Sequence, residues 1–512
     1  MSEASSITGR AFRALKWNYI GTIGRIVATF ASQIILARLL GPEPFGTFGY
    51  AFLTVSLVSL IVEMGLQHAL IQTQDLTDEM IAVSCGRLML VGALASLIIF
   101  VLADQIALHA FANPAAAPVI RAMAPSLIVS AGISAATAIL SRDIEFKVVQ
   151  LSALGAYIIG YMIIGVVAAS LGLGVWSLVL AWYGCTVITL IVMIYYSPRA
   201  VRLGNPFRKL SITRFGNVIM LTNVVNWAID STAHVIVGRT FGAGALGQFT
   251  VANNLVKTPS DHLIRNLQTV LLPLASRAQD NDAGLRRAYL TVIAGVAAIV
   301  FPTFLFIGVM AEPTVTLLLG SKWTSAAPLL LPLALGAIAH SIEALCGPVL
   351  TGRGDPGVEL NVKAFTLLLM VPVLLVTSQW SIVAVAWGLA FVFVVRWFWM
   401  NAALMKRIDL SYAEVGQALR GPVFLAAIAG GVGALVNMAH AAYLPGGPAL
   451  VHLLLGVVVA SAVIIGALAW APTLVLGTQL LQLLEQLCAT HPGLMRVPGV
   501  RHLAESARRF AV

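Results

Sequence analysis

Two stretches 201 residues apart follow one pattern: IILARLLGPEPFGTFGYA at 34–51 and VIVGRTFGAGALGQFTVA at 235–252. Arg38, Gly41, Gly46, Phe48 and Ala51 of the first coincide with Arg239, Gly242, Gly247, Phe249 and Ala252 of the second. Long apolar runs flank both copies, so each reads as a tight turn joining two helices, with glycine admitting a positive φ. The second copy contains Gly242-Ala-Gly-Ala-Leu-Gly247, which has the spacing of a dinucleotide-binding fingerprint. That fingerprint requires a strand before it, a helix after it and a βαβ unit around it. Both flanks here are helical in pattern and the first copy lacks the central glycine, which argues against a nucleotide site. Looser echoes follow, Leu140 and Arg142 with Leu350 and Arg353, and VWSLVLAW at 175–182 with VAWGLAFV at 385–392.

Apolar runs of this kind fill the chain. Of 512 residues 59% are hydrophobic and 10% are charged, whereas a soluble protein carries about 25% charged residues. A helical bilayer crossing takes about 20 mostly apolar residues, so this composition excludes a soluble enzyme and a single-anchor receptor. A transmembrane barrel is excluded too, because its strands alternate polar and apolar residues. The predicted class is all-α, a polytopic membrane protein. Spans are expected near 17–40, 46–71, 80–103, 118–140, 148–170, 174–196, 214–238, 243–272, 286–310, 326–351, 359–378, 380–404, 419–438 and 449–470, about 14 in all. The basic residues before the first run mimic a signal peptide, but that run is long and contains Arg25, so it reads as a retained span.

The repeat organises these spans into two six-helix lobes plus two extra C-terminal helices. An even number of spans separates the copies, making them parallel repeats related by an axis along the membrane normal. The expected divisions are an N-terminal lobe at 1–200, a basic linker at 201–213, a C-terminal lobe at 214–405, the extra helices at 406–472, and an interfacial helix with a basic tail at 473–512. Most of the 31 Lys and Arg residues then fall on one side, which the positive-inside rule makes cytoplasmic together with both termini. One loop on that side, Gln72 to Glu79, is acidic and departs from the trend. The formal net charge of +10 is therefore topological, and no basic block interleaved with aromatics suggests nucleic acid. Cys85, Cys185, Cys346 and Cys488 are scattered, without the spacing of a metal site or a disulfide framework.

Polar residues inside the spans fall on faces. The first span carries Asn18, Thr22, Arg25, Thr29 and Gln33, and the seventh carries Asn223, Asn226, Asp230 and His234, each set on one helix face. At the 201 offset the second set overlies Thr22, Arg25, Thr29 and Gln33. Span two shows Ser56, Ser59, Glu63 and Gln67; span eight shows Asn254, Lys257, Asp261, Arg265 and Gln268. Ionisable groups within spans are costly and face the bundle interior or water, which places these faces at a shared hydrated cavity between the halves. The predicted cavity residues are Arg25, Glu63, Asp230, His234, Lys257, Asp261 and Arg265. Hydrogen-bonded helix packing is the competing account for the neutral polar residues, and it is weaker for Arg25, Asp230 and Lys257, because joining helices needs no full charge. Glu343, Arg396 and Arg87 are undecided between the two accounts, while His68, His262 and His340 read as structural. Pro125, Pro302, Pro332 and Pro372 suggest bends. Arg25, Lys257 and Arg265 suit an anionic substrate such as a phosphate or pyrophosphate, and Asp230, Glu63 and His234 suit protons or cations. No catalytic constellation stands in the short loops, so the chain reads as a non-enzyme with no cofactor.

In order along the chain, ARLLGPEPFGTFGYA, EMGLQHALIQ with its DLTDE loop, LSRDIEFK, GLGVWSLV, AIDSTAHVIVGRTFGAGALGQFTVANNLVKTPSDHL and VLLPLASRAQDN resemble the bacterial polysaccharide flippases of the multidrug/oligosaccharidyl-lipid/polysaccharide exporter superfamily. The likeness covers about residues 10 to 470 and is nearest the colanic-acid and succinoglycan type of lipopolysaccharide-biosynthesis exporter. It implies two six-helix lobes forming a V around a central cavity. It also implies flipping of an undecaprenyl-pyrophosphate-linked oligosaccharide across the inner membrane, for exopolysaccharide, capsule or lipopolysaccharide synthesis, by alternating access coupled to protons or sodium. Membrane lipid, a polysaccharide polymerase and chain-length machinery are the partners it suggests. Asp230 stands where this group has an aspartate before the RxxG turn, and His234 departs from the usual residue. Two alternatives stay open: a drug or cation antiporter of the same superfamily, and an integral-membrane glycan polymerase or ligase.

Overall fold

The computed structural model describes all residues except 1, 64–69, 71–76, 144, 209–212, 278–281, 478–479, 482–487 and 489–512. Among the described residues there are helices and turns and no strand. The expectation of an all-helical membrane protein is met: eleven helices are long and apolar enough to cross a bilayer, or twelve if the bent pair at 114–142 is one span. These twelve segments fall on twelve of the predicted spans. The other two, 214–238 and 243–272, lie in the segment Thr213–Arg277, which is two helices meeting at a kink at Gly242, and neither is among the eleven. Their Asn, Asp and Lys residues lower their hydropathy.

Contacts divide the chain into two compact units, 1–250 and 251–512. Unit 1 contains α1 (Ser2–Leu40), α2 (Pro42–Glu63), α3 (Asp78–Gln105), α4 (Ala117–Met123), α5 (Ser126–Arg142), α6 (Phe146–Tyr157), α7 (Val166–Ser170) and α8 (Val175–Tyr196). It also takes the first part of α9 (Thr213–Arg277). Unit 2 takes the rest of α9 with α10 (Asp282–Val309), α11 (Ala311–Leu318), α12 (Ala327–Glu343), α13 (Cys346–Gly352), α14 (Pro356–Thr377), α15 (Ile382–Ile408), α16 (Tyr412–Tyr443) and α17 (Ala449–Trp470). The division by packing thus falls beyond the 201–213 linker. The reason is local: the start of α9 packs on α2, where Tyr50 Oη donates to the Gly238 carbonyl at 2.8 Å and Trp227 Nε1 donates to Ser56 Oγ at 2.9 Å.

The two copies of the glycine turn meet inside unit 1. Gly41 and Gly242 have φ of 81° and 85°, the left-handed backbone expected of both. Gly46 and Gly247 serve a different end. A Cβ on Gly46 would strike the Ala243 carbonyl, and one on Gly247 would strike the Pro42 carbonyl. Ala243 is itself the repeat partner of Pro42, so the contact is reciprocal, each copy seating its glycine on the other's turn. Where lipid removes the hydrophobic drive for helix association, such close backbone approach is what holds helices together.

Local chemistry sets the helix ends. Thr77 accepts from the Met80 amide ahead of Asp78 and Glu79, and Ser411 and Glu414 form a reciprocal capping box on α16. α3 and α6 pass into π-helical turns at Ile106–Ala110 and Ile158–Gly165. Such turns leave carbonyls misaligned, and Arg239 donates to those of His109 and Ala110. Pro125 sits at the break of a pair of helices bent by 41°. Pro302, Pro332 and Pro372 lie within continuous helices.

The acidic loop that departs from the charge trend has a structural partner. Glu79 pairs with Arg208 and Asp78 lies 4.0 Å from Arg202. Arg87 donates to the carbonyls of Pro206 at 3.1 Å and Arg208 at 2.7 Å, and the Gly204 amide donates to Ala82 at 2.8 Å. The basic linker is therefore pinned to the start of α3, and Arg87 is spent on holding it. Gln67 and His68 lie outside the described residues, as does most of the predicted interfacial helix and tail.

Candidate functional site

In unit 1 the predicted residues are distributed along three helices. Arg25 is partly buried on α1, within electrostatic reach of Cys185 on α8. Two turns further on, Ser32 Oγ shares a hydrogen bond of 3.1 Å with the Tyr157 hydroxyl. Glu63, partly buried, ends α2, with Ser59 Oγ donating to its Oε1 at 3.5 Å. Asp230 is exposed on α9, one turn before His234, whose Nδ1 lies 3.1 Å from the Asp230 carbonyl and whose ring meets Phe249 edge-on at 5.1 Å. Ser56, by contrast, is occupied by Trp227, so that member of the stripe packs helices.

Unit 2 gathers its charges. Lys257 and Asp261 are partly buried and Arg265 is exposed. Asp261 is 3.7 Å from Arg265 one turn ahead and 3.8 Å from His340 Nε2 on α12. His340 Nδ1 is 3.3 Å from Glu343 Oε2, and Glu343 Oε1 is 2.9 Å from Arg396 Nη2 on α15. A continuous run Arg265, Asp261, His340, Glu343, Arg396 results, crossing three helices. Beside it Ser260 and Ser341 share a hydrogen bond of 2.7 Å, and Gln268 Nε2 donates to the Ala344 carbonyl at 2.7 Å.

Glu343 is only 2% exposed and Arg396 is buried; His340 Nδ1 and Glu343 Oε2 are in ion-pair range but not in hydrogen-bond geometry, and Arg396 Nε has no hydrogen-bond partner among the described residues. A pair taken out of water recovers its desolvation cost only when its remaining atoms are satisfied. This pair is therefore expensive, and ionisable groups at such depth are a mark of function. The sequence reads His340 as structural and leaves Glu343 and Arg396 undecided; the structure sets His340 against Asp261 and links Glu343 and Arg396 to it through His340. Their signal in the sequence is the His340/Glu343 spacing of three inside an apolar helix and a lone Arg396 in another. What the spacing alone does not reveal is that the two helices face each other.

The solved structures that this helical bundle resembles are transporters. A lipid II flippase MurJ in an inward closed conformation matches with a TM-score of 0.67, at 10% identity, covering 88% of this chain and 99% of that one. An inward-facing multidrug resistance MATE family transporter of the MOP superfamily matches with a TM-score of 0.63, at 16% identity, covering 76% and 96%. At these identities the likeness shows the fold.

The family is shown by sequence: the chain belongs to the family described as polysaccharide biosynthesis protein, whose model matches residues 35–328, more than half of its length. Relatives include the lipopolysaccharide biosynthesis protein WzxC of Escherichia coli (strain K12), 22% identical over 73% of this chain and 76% of that protein. The succinoglycan biosynthesis transport protein ExoT of Rhizobium meliloti (strain 1021) is 26% identical over 68% and 70%. The chain is thus an all-helical polytopic membrane protein of the polysaccharide biosynthesis protein family.

Proposed function

We propose that this protein flips an undecaprenyl-pyrophosphate-linked oligosaccharide across the bacterial inner membrane, by alternating access driven by a proton or sodium gradient, with both termini cytoplasmic. What supports the reading is that Arg25, Lys257 and Arg265 stand on the helices of a chain that belongs to the polysaccharide biosynthesis protein family. A pyrophosphate linking a glycan to a lipid tail must cross with its charge compensated. Arginine offers it a planar fork and lysine a point charge. Glu63, Asp230, His234 and Asp261 supply the sites at which a coupling ion is bound and released. Asp261 suits that role because it stands between a cation on its own helix and the imidazole of His340, so a change at one partner alters its pairing with the other. No step requires a nucleophile or a cofactor, so the protein acts as a carrier and leaves polymerisation to a partner polymerase with its chain-length machinery.

The test is transport of a lipid-linked oligosaccharide in proteoliposomes, read with a glycan-specific enzyme confined to one side. Arg25→Ala and Lys257→Ala should each abolish flipping while the protein inserts at the normal level. Normal flipping by both variants would overturn the assignment of these cations. Glycan polymerisation by the purified wild-type protein would instead identify a polymerase.

A further inference from the structure

Apart from the residues assigned above, unit 1 carries an open groove of about 610 Å³ lined by α5, α6 and α8. α1 packs on one side of α6, where Gly21 meets Gln150 and Gly24 meets Leu154. The groove runs along the opposite side, over Val148, Ser152, Gly155 and Ile159, a single stripe at helical spacing. Small residues make the space: Ser152 and Ala156 are buried in its floor, and a Cβ at Gly155 would meet nothing within 4 Å. Leu151 and Ile159 are exposed at its rim, which on a spanning helix is a surface for lipid.

The groove is mostly apolar along its length, with Ser152 in its floor, and carries charge at one end only, where Glu145 and Lys147 line it with Tyr196. From Lys147 to Ile159 is about 18 Å at about 1.5 Å per residue, close to the roughly 15 Å of one leaflet of hydrocarbon. An occupant of this shape has one long apolar chain and a head at the membrane surface. That head faces a cation and an anion two residues apart, so a head with one charge would meet one favourable and one unfavourable neighbour.

We propose that the groove is a binding site for one zwitterionic aminophospholipid, with an acyl chain along Val148 to Ile159, its phosphate at Lys147 and its primary ammonium at Glu145. A phosphatidylglycerol head would set its negative charge against Glu145 without an ammonium to offset it. A phosphatidylcholine head would offer Glu145 no N–H to donate. The site is separate from the proposed transport residues and stands without them.

Native mass spectrometry of the purified full-length protein in an equal mixture of phosphatidylethanolamine, phosphatidylglycerol and phosphatidylcholine tests it. The wild type should retain one phosphatidylethanolamine in preference to the other two. Gly155→Leu sets its Cβ in open space and its side chain into the groove, and should weaken that retention at least about tenfold. Glu145→Lys, an exposed change that leaves the apolar groove intact, should shift the preference to phosphatidylglycerol. Undiminished retention by Gly155→Leu overturns the chain site. An unchanged preference in Glu145→Lys, or a wild type that prefers phosphatidylglycerol, overturns the head assignment.

Discussion

Unit 1 and unit 2 both carry polar residues within their apolar helices, yet they use buried polarity differently. Ion pairs of unit 1 such as Arg121 with Asp104 and the two that hold the linker lie on side chains at least a third exposed, and its buried hydrogen bonds include neutral ones such as Tyr50 with Gly238 and Ser32 with Tyr157. Unit 2 has neutral contacts of the same kind, Tyr289 with Asn401 at 3.2 Å for example, and adds a buried ion pair linked through His340 to Asp261. A neutral hydrogen bond contributes about 1 kcal/mol. A buried ion pair has a large desolvation cost and a large attraction that nearly cancel, so its state responds strongly to any change in its neighbours. Of the two units, it is unit 2 that carries the part poised to respond.

The sharpest way to break this comparison is at the buried pair. Glu343→Gln alone should destabilise the purified protein by about 3–5 kcal/mol, because it leaves Arg396 buried and uncompensated. Glu343→Leu combined with Arg396→Met should recover most of that loss in thermal unfolding. A single variant as stable as the wild type would show that the pair is not ionised.

Next in size is the reciprocal turn of unit 1. Gly46→Leu or Gly247→Leu forces a side chain against backbone, which cannot rotate away, so at least about 1–3 kcal/mol should be lost. Gly244→Ala tests the same sequence without the collision. Its Cβ meets nothing within 4 Å, so stability should hold or rise by up to about 1 kcal/mol. Equal effects at Gly244 and Gly247 would refute the reciprocal contact.

The smallest effect belongs to the neutral class. Tyr50→Phe removes one buried donor and should cost about 1 kcal/mol, several-fold less than Glu343→Gln in the same unfolding assay. A loss as large as that of Glu343→Gln would erase the distinction between the units.

Much of this was legible in the residues. The left-handed glycines at 41 and 242 follow from a turn repeated between apolar runs, since only glycine adopts that backbone without strain. The helical class follows from continuous apolarity. Arg25, Asp230 and Lys257 stand out because an ion within a span is costly wherever it points. Other roles were hidden. Ser56 and Arg87 look like members of polar faces, but Trp227 and the linker carbonyls occupy them. His340 looks structural until Asp261 and Glu343 appear on either side of it. The acidic residues Asp78 and Glu79 break the charge rule until Arg202 and Arg208 are found beside them.

The sequence by itself determined the helical membrane class, the internal repeat, the turn glycines and the faces on which charges recur. These depend on composition and on spacing along a single helix, where geometry is set by the 3.6-residue period. Only the tertiary structure decided that Gly46 and Gly247 oppose each other's turns, that the linker is pinned to α3, that Glu343 and Arg396 share one buried pair, and that small residues on α6 leave a groove. Those facts depend on which distant helices meet. In a bilayer that choice rests on close fit and on satisfying buried polar atoms, and neither is written in the local order of the chain.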